Sequence, residues 1–204
     1  MPFVPQVDVR VTYTFHAGLP LVFVETLMKF RQAVQVRTVR NSELVFSRHQ
    51  FDTAVWIARD GQLHTAPCYD YHDKDRSFQE VVKLPPDVPC LGFANERKGY
   101  GVALVPLSMK NVNKLTGQPA DQQAHFYIRD WDEHGKGHPW NFLYLVRPLV
   151  MRGDYEPTNV GAGSTYEETT ALVVFLLNQE PTKKYDELVK WQKVLANPLR
   201  VIVE

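Results

Sequence analysis

The sequence is poor in cysteine and in net charge. Its 204 residues include two cysteines, Cys68 and Cys90, which are too few for a disulfide framework. Two partly buried thiols are the simpler interpretation, and a single disulfide is the alternative. Lys and Arg total 23, as do Asp and Glu, so the formal net charge is zero. Because broad nucleic-acid and anionic-membrane surfaces need a basic excess, we expect neither nucleic acid nor membrane as a partner.

Long apolar runs and established catalytic signatures are also missing. No run approaches the ~20 residues of a membrane-spanning helix. The first residues, MPFVPQVDVR, lack the basic start and apolar core of a signal peptide, which predicts a cytoplasmic chain, or a secreted or periplasmic one whose signal was removed. There is no phosphate loop, dinucleotide fingerprint, Cys-x-x-Cys, His-Glu-x-x-His or Gly-x-Ser-x-Gly motif. Function must therefore be sought in groups of residues.

The dominant pattern in the sequence is the alternation of apolar and polar residues. Residues 7–15 alternate strictly, which predicts a strand with one wet face. About a dozen such short runs are separated by turn signals, among them Asp60-Gly61, which is typical of a two-residue type I′ hairpin. One late segment, 182–196, has helical spacing. The sequence thus predicts a mostly β fold: a single antiparallel β-sandwich domain over 1–204 with one C-terminal helix.

Three local predictions concern the C-terminal part. Residues 152–168 are rich in Gly, Thr and Glu and are predicted to be loop. Residues 170–177 form a continuous apolar run, which indicates a fully buried strand. Thr182 can cap the helix, and Pro198 ends it.

The stretch 123–149, QAHFYIRDWDEHGKGHPWNFLYLVRPL, holds the highest concentration of groups that bind ligands or move protons. Two predicted strands flank a polar connector. His125 and Tyr127 are two residues apart, so they should share one strand face, which we expect to face the ligand. Trp131 and Trp140 border the connector and could stack on the apolar faces of sugar rings.

The same stretch also offers metal ligands. Imidazole and carboxylate side chains together suit zinc, manganese or iron. Their spacing matches no established ligand pattern, so a solvated loop is the better interpretation. A divalent metal stays open but is not favoured, and the cofactor is unknown. The candidate ligands are His125, Asp130, Asp132, His134 and His138.

A cationic group lies near predicted strand ends. It comprises Arg37, Arg40, Asn41, Arg48 and His49. Arg pairs bidentately with carboxylates, and Asn can share that role. An acidic substrate would place its carboxylate here. Charged residues on the wet face of a sheet are the equally supported alternative.

Four stretches together resemble the galactose-mutarotase-like β-sandwich found in polysaccharide lyases and related carbohydrate-active proteins. They are YTFHAGLPLVFVETLM (13–28), VRTVRNSELVF (36–46), FANERKGYGVALV (93–105) and HPWNFLYLVRPL (138–149). The resemblance is diffuse, covers most of 7–178 and implies a carbohydrate ligand. Because such domains are commonly larger, it also implies a compact relative or part of a larger assembly, a homo-oligomer included.

In lyases of this kind the implied reaction is β-elimination at a uronic acid. Arg40 and Asn41 would contact the substrate carboxylate. The other implied substrate-binding residues are Trp131, Trp140, Tyr144 and Arg147.

The resemblance also implies the proton-transfer groups. The base would be His49 or His125, and the acid Tyr127 or Tyr144. The catalytic set predicted from the sequence is His125, Tyr127 and His49. Two other functions stay open: a non-catalytic carbohydrate-binding or accessory module, and a metal-dependent small-molecule enzyme that uses the histidines of 125–138.

Overall fold

The computed structural model describes residues 5–36, 38–47, 50–68, 78–85, 87–115, 126–132, 141–151 and 158–197. The strands are β1 (Val7–Phe15), β2 (Leu21–Phe30), β3 (Val34–Val36), β4 (Thr38–Ser47), β5 (Thr53–Ile57), β6 (Leu63–Pro67), β7 (Phe78–Leu84), β8 (Cys90–Asn95), β9 (Tyr100–Val112), β10 (Phe126–Asp132), β11 (Asn141–Met151), β12 (Thr158–Val160) and β13 (Thr165–Leu176). One α-helix, α1, covers Asp186–Ala196.

The strands form two main antiparallel sheets. The larger has seven strands in the order β1-β2-β13-β9-β8-β5-β6, and the smaller has four in the order β4-β11-β10-β7. A short pair, β12-β3, forms a third sheet. The mostly β fold with one C-terminal helix, predicted from the alternation, is confirmed.

The two main sheets pack face to face through the inter-sheet cluster. Its buried members are Phe51, Ala54, Cys68, Leu84, Val88, Leu91, Phe93, Val102, Leu104, Leu143 and Leu145. They come from both sheets because alternate residues of each strand point to the same side. We call this side of the seven-stranded sheet its inner face. Because both sheets bury apolar side chains between them here, the fold is a β-sandwich.

The outer face of the same sheet is covered at one end by α1, through the helix cluster. Its buried members are Leu21, Val55, Ile57, Cys90, Ala94, Ala103, Val105, Ala171, Val173, Phe175, Tyr185 and Leu188. Cys68 and Cys90 form no disulfide and lie in different clusters, on opposite faces. The interpretation as two separate thiols is therefore correct.

A polar contact holds the start of α1 against the β8–β9 turn. The hydroxyl of Tyr185 donates to Oε1 of Glu96 at 2.7 Å, and Nζ of Lys184 lies 3.0 Å from Oε2. The hydrogen bond from Tyr185 holds the pKa of Glu96 below its usual value, and the hydrogen bond and positive charge of Lys184 lower it further. Burial, followed by the bond to Glu96, raises the pKa of Tyr185.

The end cluster closes the other end of the inner face. Phe30, Val160 and Tyr166 are buried there. The half-buried residues Val7, Met28, Val34, Val36 and Val39 pack against them. The short β12-β3 sheet thus covers the end of the seven-stranded sheet that is farthest from α1.

The Asp60-Gly61 hairpin forms as predicted, but its loop is longer. Ala58 N–H bonds to the carbonyl of Gln62 at 2.9 Å, and Gly61 N–H bonds to the carbonyl of Ala58 at 2.9 Å. Three residues, 59–61, therefore connect the strands. Gly61 has φ 80°, as in a turn closed by a left-handed residue. The two-residue type I′ prediction was wrong by one residue.

The start of the helix also differs from the local prediction. A 3₁₀ turn covers Pro181–Lys183, and α1 begins only at Asp186. The hydroxyl of Thr182 donates to Glu180 at 2.9 Å and caps no helix end. The spacing of the apolar residues thus located the helix, and the N-cap assignment was wrong. Within the described residues, α1 is too short to be a membrane-spanning helix.

Two further local predictions need correction. The predicted loop 152–168 contains β12 and the first four residues of β13, 165–168. Pairing of β13 with β2 and β9 overrides the weak local preference of these four residues. The predicted fully buried strand 170–177 has Val174 51% and Leu176 65% exposed. A continuous apolar run therefore did not mean burial on both faces.

Candidate functional site

The inner face of the seven-stranded sheet changes from apolar to polar and back along β13. Leu172 packs in the inter-sheet cluster and Tyr166 in the end cluster. Between them lie Thr170, 5% exposed, and Glu168, 2% exposed. On the neighbouring strands, Thr26 pairs with Glu168 and Asn111 with Tyr166. We call Thr26, Asn111, Glu168 and Thr170 the polar section.

The buried carboxylate in the polar section has a fixed hydrogen bond. Nδ2 of Asn111 donates to Oε1 of Glu168 at 3.2 Å, and the bond is buried. Oδ1 of Asn111 accepts from the backbone N–H of Glu167 at 3.1 Å. A carboxylate is costly to bury unless it is hydrogen-bonded, so the Asn111 amide both links β9 to β13 and stabilises Glu168.

Strand β4 brings predicted binding residues opposite the polar section. Val39 packs against the end cluster, and Leu44 packs against the inter-sheet cluster. Positions 40–43 therefore lie between the two clusters, at the level of Glu168, with facing sheets ~10 Å apart. Arg40 and Asn41 are among these positions. In the part of the chain that the structure describes, β4 is the edge strand of its sheet.

The register of β11 adds two more predicted residues. Arg147 pairs with Asn41, and Pro148 pairs with Arg40. Tyr127 on β10 pairs with Val146, one position from Arg147. The backbone thus places Arg40, Asn41, Arg147 and Tyr127 together on three adjacent strands. For these four residues the structure describes the backbone position alone.

The remaining candidates are not in this group. Trp131 pairs with Phe142, five residues from Arg147 along β11, which corresponds to about 17 Å. Tyr144 pairs with Val45, between these two levels. His49, His125 and Trp140 lie outside the described residues. The shared face of His125 and Tyr127 therefore stays a prediction.

The proposed metal ligands are only partly covered. His125, His134 and His138 lie outside the described residues, and Asp130 and Asp132 are described by backbone alone. Among the side chains that the structure describes, no three His, Cys, Asp or Glu residues are grouped so that they could hold a metal ion.

Sequence reasoning missed Glu168 and Asn111. Glu168 fell in the predicted loop 152–168, and Asn111, which lies near the end of β9, was not among the candidate residues. A usable signal was present at 165–170, because four of these six residues, Thr165, Tyr166, Thr169 and Thr170, are β-branched or aromatic and favour a strand.

Trp56 lies away from these candidate residues. It is half-buried against the inter-sheet cluster. Its ring stacks on His64 across the β5–β6 hairpin, with centroids 5.5 Å apart and planes inclined by 13°. His64 was not among the candidates, although a hairpin centred on Asp60 brings it opposite Trp56. This pair belongs to the far edge of the sheet, away from the polar section.

A shallow groove of about 140 Å³ lies on the outer face, beside the region that α1 covers. Its lining includes Arg10, Thr12, Glu25, Glu167 and Thr169. The two exposed carboxylates outnumber the single guanidinium, which disfavours an anionic ligand.

The fold and the position of this group define a β-sandwich with a polar section between its layers. No protein-family model matches the chain, and no curated protein matches it. Among solved structures it is similar to an alpha-galactosidase from Lactobacillus brevis, with 9% identity and a TM-score of 0.51, over 83% of this chain and 21% of that one.

Two further structures are similar at lower TM-scores. A putative aldose 1-epimerase from Escherichia coli K12 has 14% identity and a TM-score of 0.42, over 83% of this chain and 61% of that one. A TPR-domain containing protein from Parabacteroides distasonis has 13% identity and a TM-score of 0.45, over 96% of this chain and 33% of that one.

The chain therefore spans less than two thirds of the length of each of these proteins. Of these three, the similarity to the alpha-galactosidase has a TM-score above 0.5, and it supports the β-sandwich at the level of fold. No family membership follows from these similarities.

Proposed function

We propose that the chain is carbohydrate-active and binds an acidic glycan where β4 and β11 face the polar section. The observation that carries the proposal is the register that brings Arg40, Asn41 and Arg147 to neighbouring positions on an edge strand and its partner. Two guanidinium groups and an amide form a suitable set for a uronate carboxylate. The carbohydrate-related names among the structural neighbours are in keeping with this ligand class.

The chemistry we propose at this site is β-elimination. A base, His49 or His125, removes the proton on C5 of the uronate. The C4–O bond then breaks, a C4–C5 double bond forms, and an acid, Tyr127 or Tyr144, protonates the departing oxygen. Cations beside the carboxylate lower the pKa of the C5 proton, because they stabilise the charge that develops during its removal.

Tyr127 and Tyr144 stay alternative candidates for the acid. Tyr127 pairs with Val146, the residue next to Arg147, and Tyr144 is three residues away from Arg147 along β11. Because every second residue of a strand shares a face, the register does not favour one tyrosine over the other, and substitution of each distinguishes them.

The test uses uronate-containing polysaccharides and detects the unsaturated product by its ultraviolet absorbance. We expect either Tyr127→Phe or Tyr144→Phe, whichever removes the acid, to lower kcat about 10²–10⁴-fold while binding is retained. We expect Asn41→Ala and Arg147→Gln to weaken binding by about tenfold or more, since each removes a charge-assisted contact.

The matched control is Arg97→Gln. Its side chain is 85% exposed on the β8–β9 turn, so the change removes one cation far from the site. Binding that falls equally in this control and in Arg147→Gln would contradict the site. Binding to the glycan without any product from the wild-type protein would reject the lyase chemistry and favour a non-catalytic carbohydrate-binding module.

A further inference from the structure

Strand β1 is the outermost strand of the seven-stranded sheet and is almost wholly exposed. It pairs along its whole length with β2, from Val7 opposite Phe30 to Phe15 opposite Val22. Among the residues that the structure describes, no strand pairs with its other edge. Four of its apolar side chains are exposed: Val9 by 60%, Val11 by 43%, Tyr13 by 61% and Phe15 by 73%.

The hydrogen-bond pattern shows which backbone groups face outward. Arg31 N–H donates to the carbonyl of Gln6 at 2.8 Å, which makes positions 6 and 31 a hydrogen-bonded pair. Hydrogen-bonded pairs alternate along an antiparallel ladder, so the even residues of β1 bond to β2. The N–H and C=O groups of the odd residues therefore point away from β2, at the open edge.

The open backbone groups and the exposed apolar side chains thus belong to the same residues. A long, apolar edge with unpaired backbone groups is a template for another strand. The sequence of β1 is also self-complementary when two copies run antiparallel about Val11. Val9 then faces Tyr13 of the copy, and Val7 faces Phe15, so apolar residues meet on one face throughout.

The charges fit the same register. Asp8 would face Thr14 of the copy, and Arg10 would face Thr12, so no like charges stand directly opposite each other. Asp8 keeps its ion pair with Arg31 of its own chain, on the far side from the copy, with Nε of Arg31 2.7 Å from Oδ2. Five pairs of odd residues would exchange about ten backbone hydrogen bonds.

We propose that two copies of this chain associate through β1, antiparallel about Val11, so that the two seven-stranded sheets join into one continuous sheet. The interface is isologous, because the same residues contribute from both copies. Its backbone pairing is made by β1 alone, whereas positions 40, 41 and 147 belong to β4 and β11, and it does not depend on the glycan proposal.

The first experiment measures mass in solution by light scattering. The wild-type chain should show twice its 23.5 kDa at high protein concentration. Val11→Pro should be monomeric, because its N–H points outward: the substitution removes the central pair of the interface and no bond to β2. Val11→Lys should also be monomeric and covers the case in which the proline variant does not fold.

The matched control is Val194→Lys on α1, where the replaced side chain is also apolar and 51% exposed. It should stay dimeric. A wild-type chain that is monomeric at every concentration overturns the proposal. A folded Val11→Lys variant that is still dimeric, with native circular dichroism, overturns it as well.

The register has its own test. Val11 faces Val11 of the copy, with Cα atoms ~5.5 Å apart, so Val11→Cys should form an interchain disulfide under mild oxidation. Val9→Cys should not, because Val9 faces Tyr13. Cys68 and Cys90 are buried and provide the background. Cross-linking by Val9→Cys in place of Val11→Cys overturns the register about Val11.

Discussion

Strands β8 and β1 belong to the same sheet, yet they differ in how much of each strand is buried. All six residues of β8 are buried, whereas eight of the nine residues of β1 are exposed. β8 lies between the inter-sheet cluster on one face and the helix cluster on the other. Because burial of apolar surface is the main source of stability, the β8 half should hold the fold together and the β1 half should be free for recognition.

The largest expected effect comes from adding a side chain to the tightly packed strand β8. A Cβ on Gly92 would lie 2.6 Å from Cα of Ala103 and would also clash with the carbonyl of Val102. Gly92→Val should therefore lower the free energy of unfolding by about 4 kcal/mol or more. Urea unfolding measures it.

Gly18→Ala is the matched control, since no atom lies within 4 Å of its added Cβ. Its cost should be about 1 kcal/mol, from the φ of 77° alone. Equal losses at the two glycines would mean that β8 is not tightly packed.

The next prediction concerns the helix that covers the packed half. Leu188 is fully buried in the helix cluster, so Leu188→Ala leaves a cavity and should cost about 3 kcal/mol. Val194→Ala, on the exposed face of the same helix, should change stability by less than about 0.5 kcal/mol. Similar melting temperatures for the two variants would show that α1 does not stabilise the sheet.

Neighbouring glutamates test the polar section. Glu168 is buried and bonded to Asn111, whereas Glu167 is exposed. Glu168→Gln can keep one oxygen as the acceptor for Asn111, but it replaces the second buried carboxylate oxygen by an amide donor, and it should cost about 2 kcal/mol in unfolding free energy. Glu167→Gln should cost almost nothing. A stable Glu168→Gln variant would remove the case for a fixed buried carboxylate.

The β5–β6 hairpin gives a smaller effect. Gly61 has φ 80°, a conformation that a β-branched residue adopts only with strain. Gly61→Val should lower stability by about 1 kcal/mol or more, and Gly61→Asn by less, because Asn tolerates a left-handed backbone. Calorimetric melting of both variants checks the order, and an unchanged melting temperature for the valine variant would count against the turn.

The smallest effect is a pH dependence at the start of α1. The pKa of Glu96 is lowered by its bond from Tyr185 and by Lys184. Because its pKa is lowered in the folded protein, ionised Glu96 stabilises the fold at pH values above the ordinary glutamate pKa. This stabilisation is lost as the pH falls through the lowered pKa of Glu96. Because Glu96 is largely solvated, Glu96→Gln should cost only about 0.5 kcal/mol at neutral pH. In strong acid the two proteins should be equally stable, and a difference that persists there would contradict the account.

Much of the fold could be predicted from the sequence, because alternation reports the period of a strand directly. Val7–Phe15 is a strand with the bounds that its alternation indicates. Alternation does not report what covers the apolar face. At the edge of the sheet Val9 and Tyr13 are exposed, and nothing local in the sequence distinguishes them from core residues.

The candidate site was harder to predict, because it depends on pairing between distant segments. Asn41 and Arg147 are neighbours only through the β4–β11 register. Glu168 is buried only because β13 pairs with β2 and β9 on both sides. Each residue type was visible in the sequence, whereas their convergence is a property of the sheets.

The central claim is that an anionic glycan is recognised at positions 40, 41 and 147. The most direct measurement is calorimetric titration of the wild-type chain and of Arg147→Gln with a uronate oligosaccharide and with its carboxyl-reduced, neutral form. We predict that the wild-type chain prefers the acidic form by at least about tenfold, or ~1.4 kcal/mol, and that the variant loses most of this preference. Equal affinity of the wild-type chain for the two forms would contradict the claim.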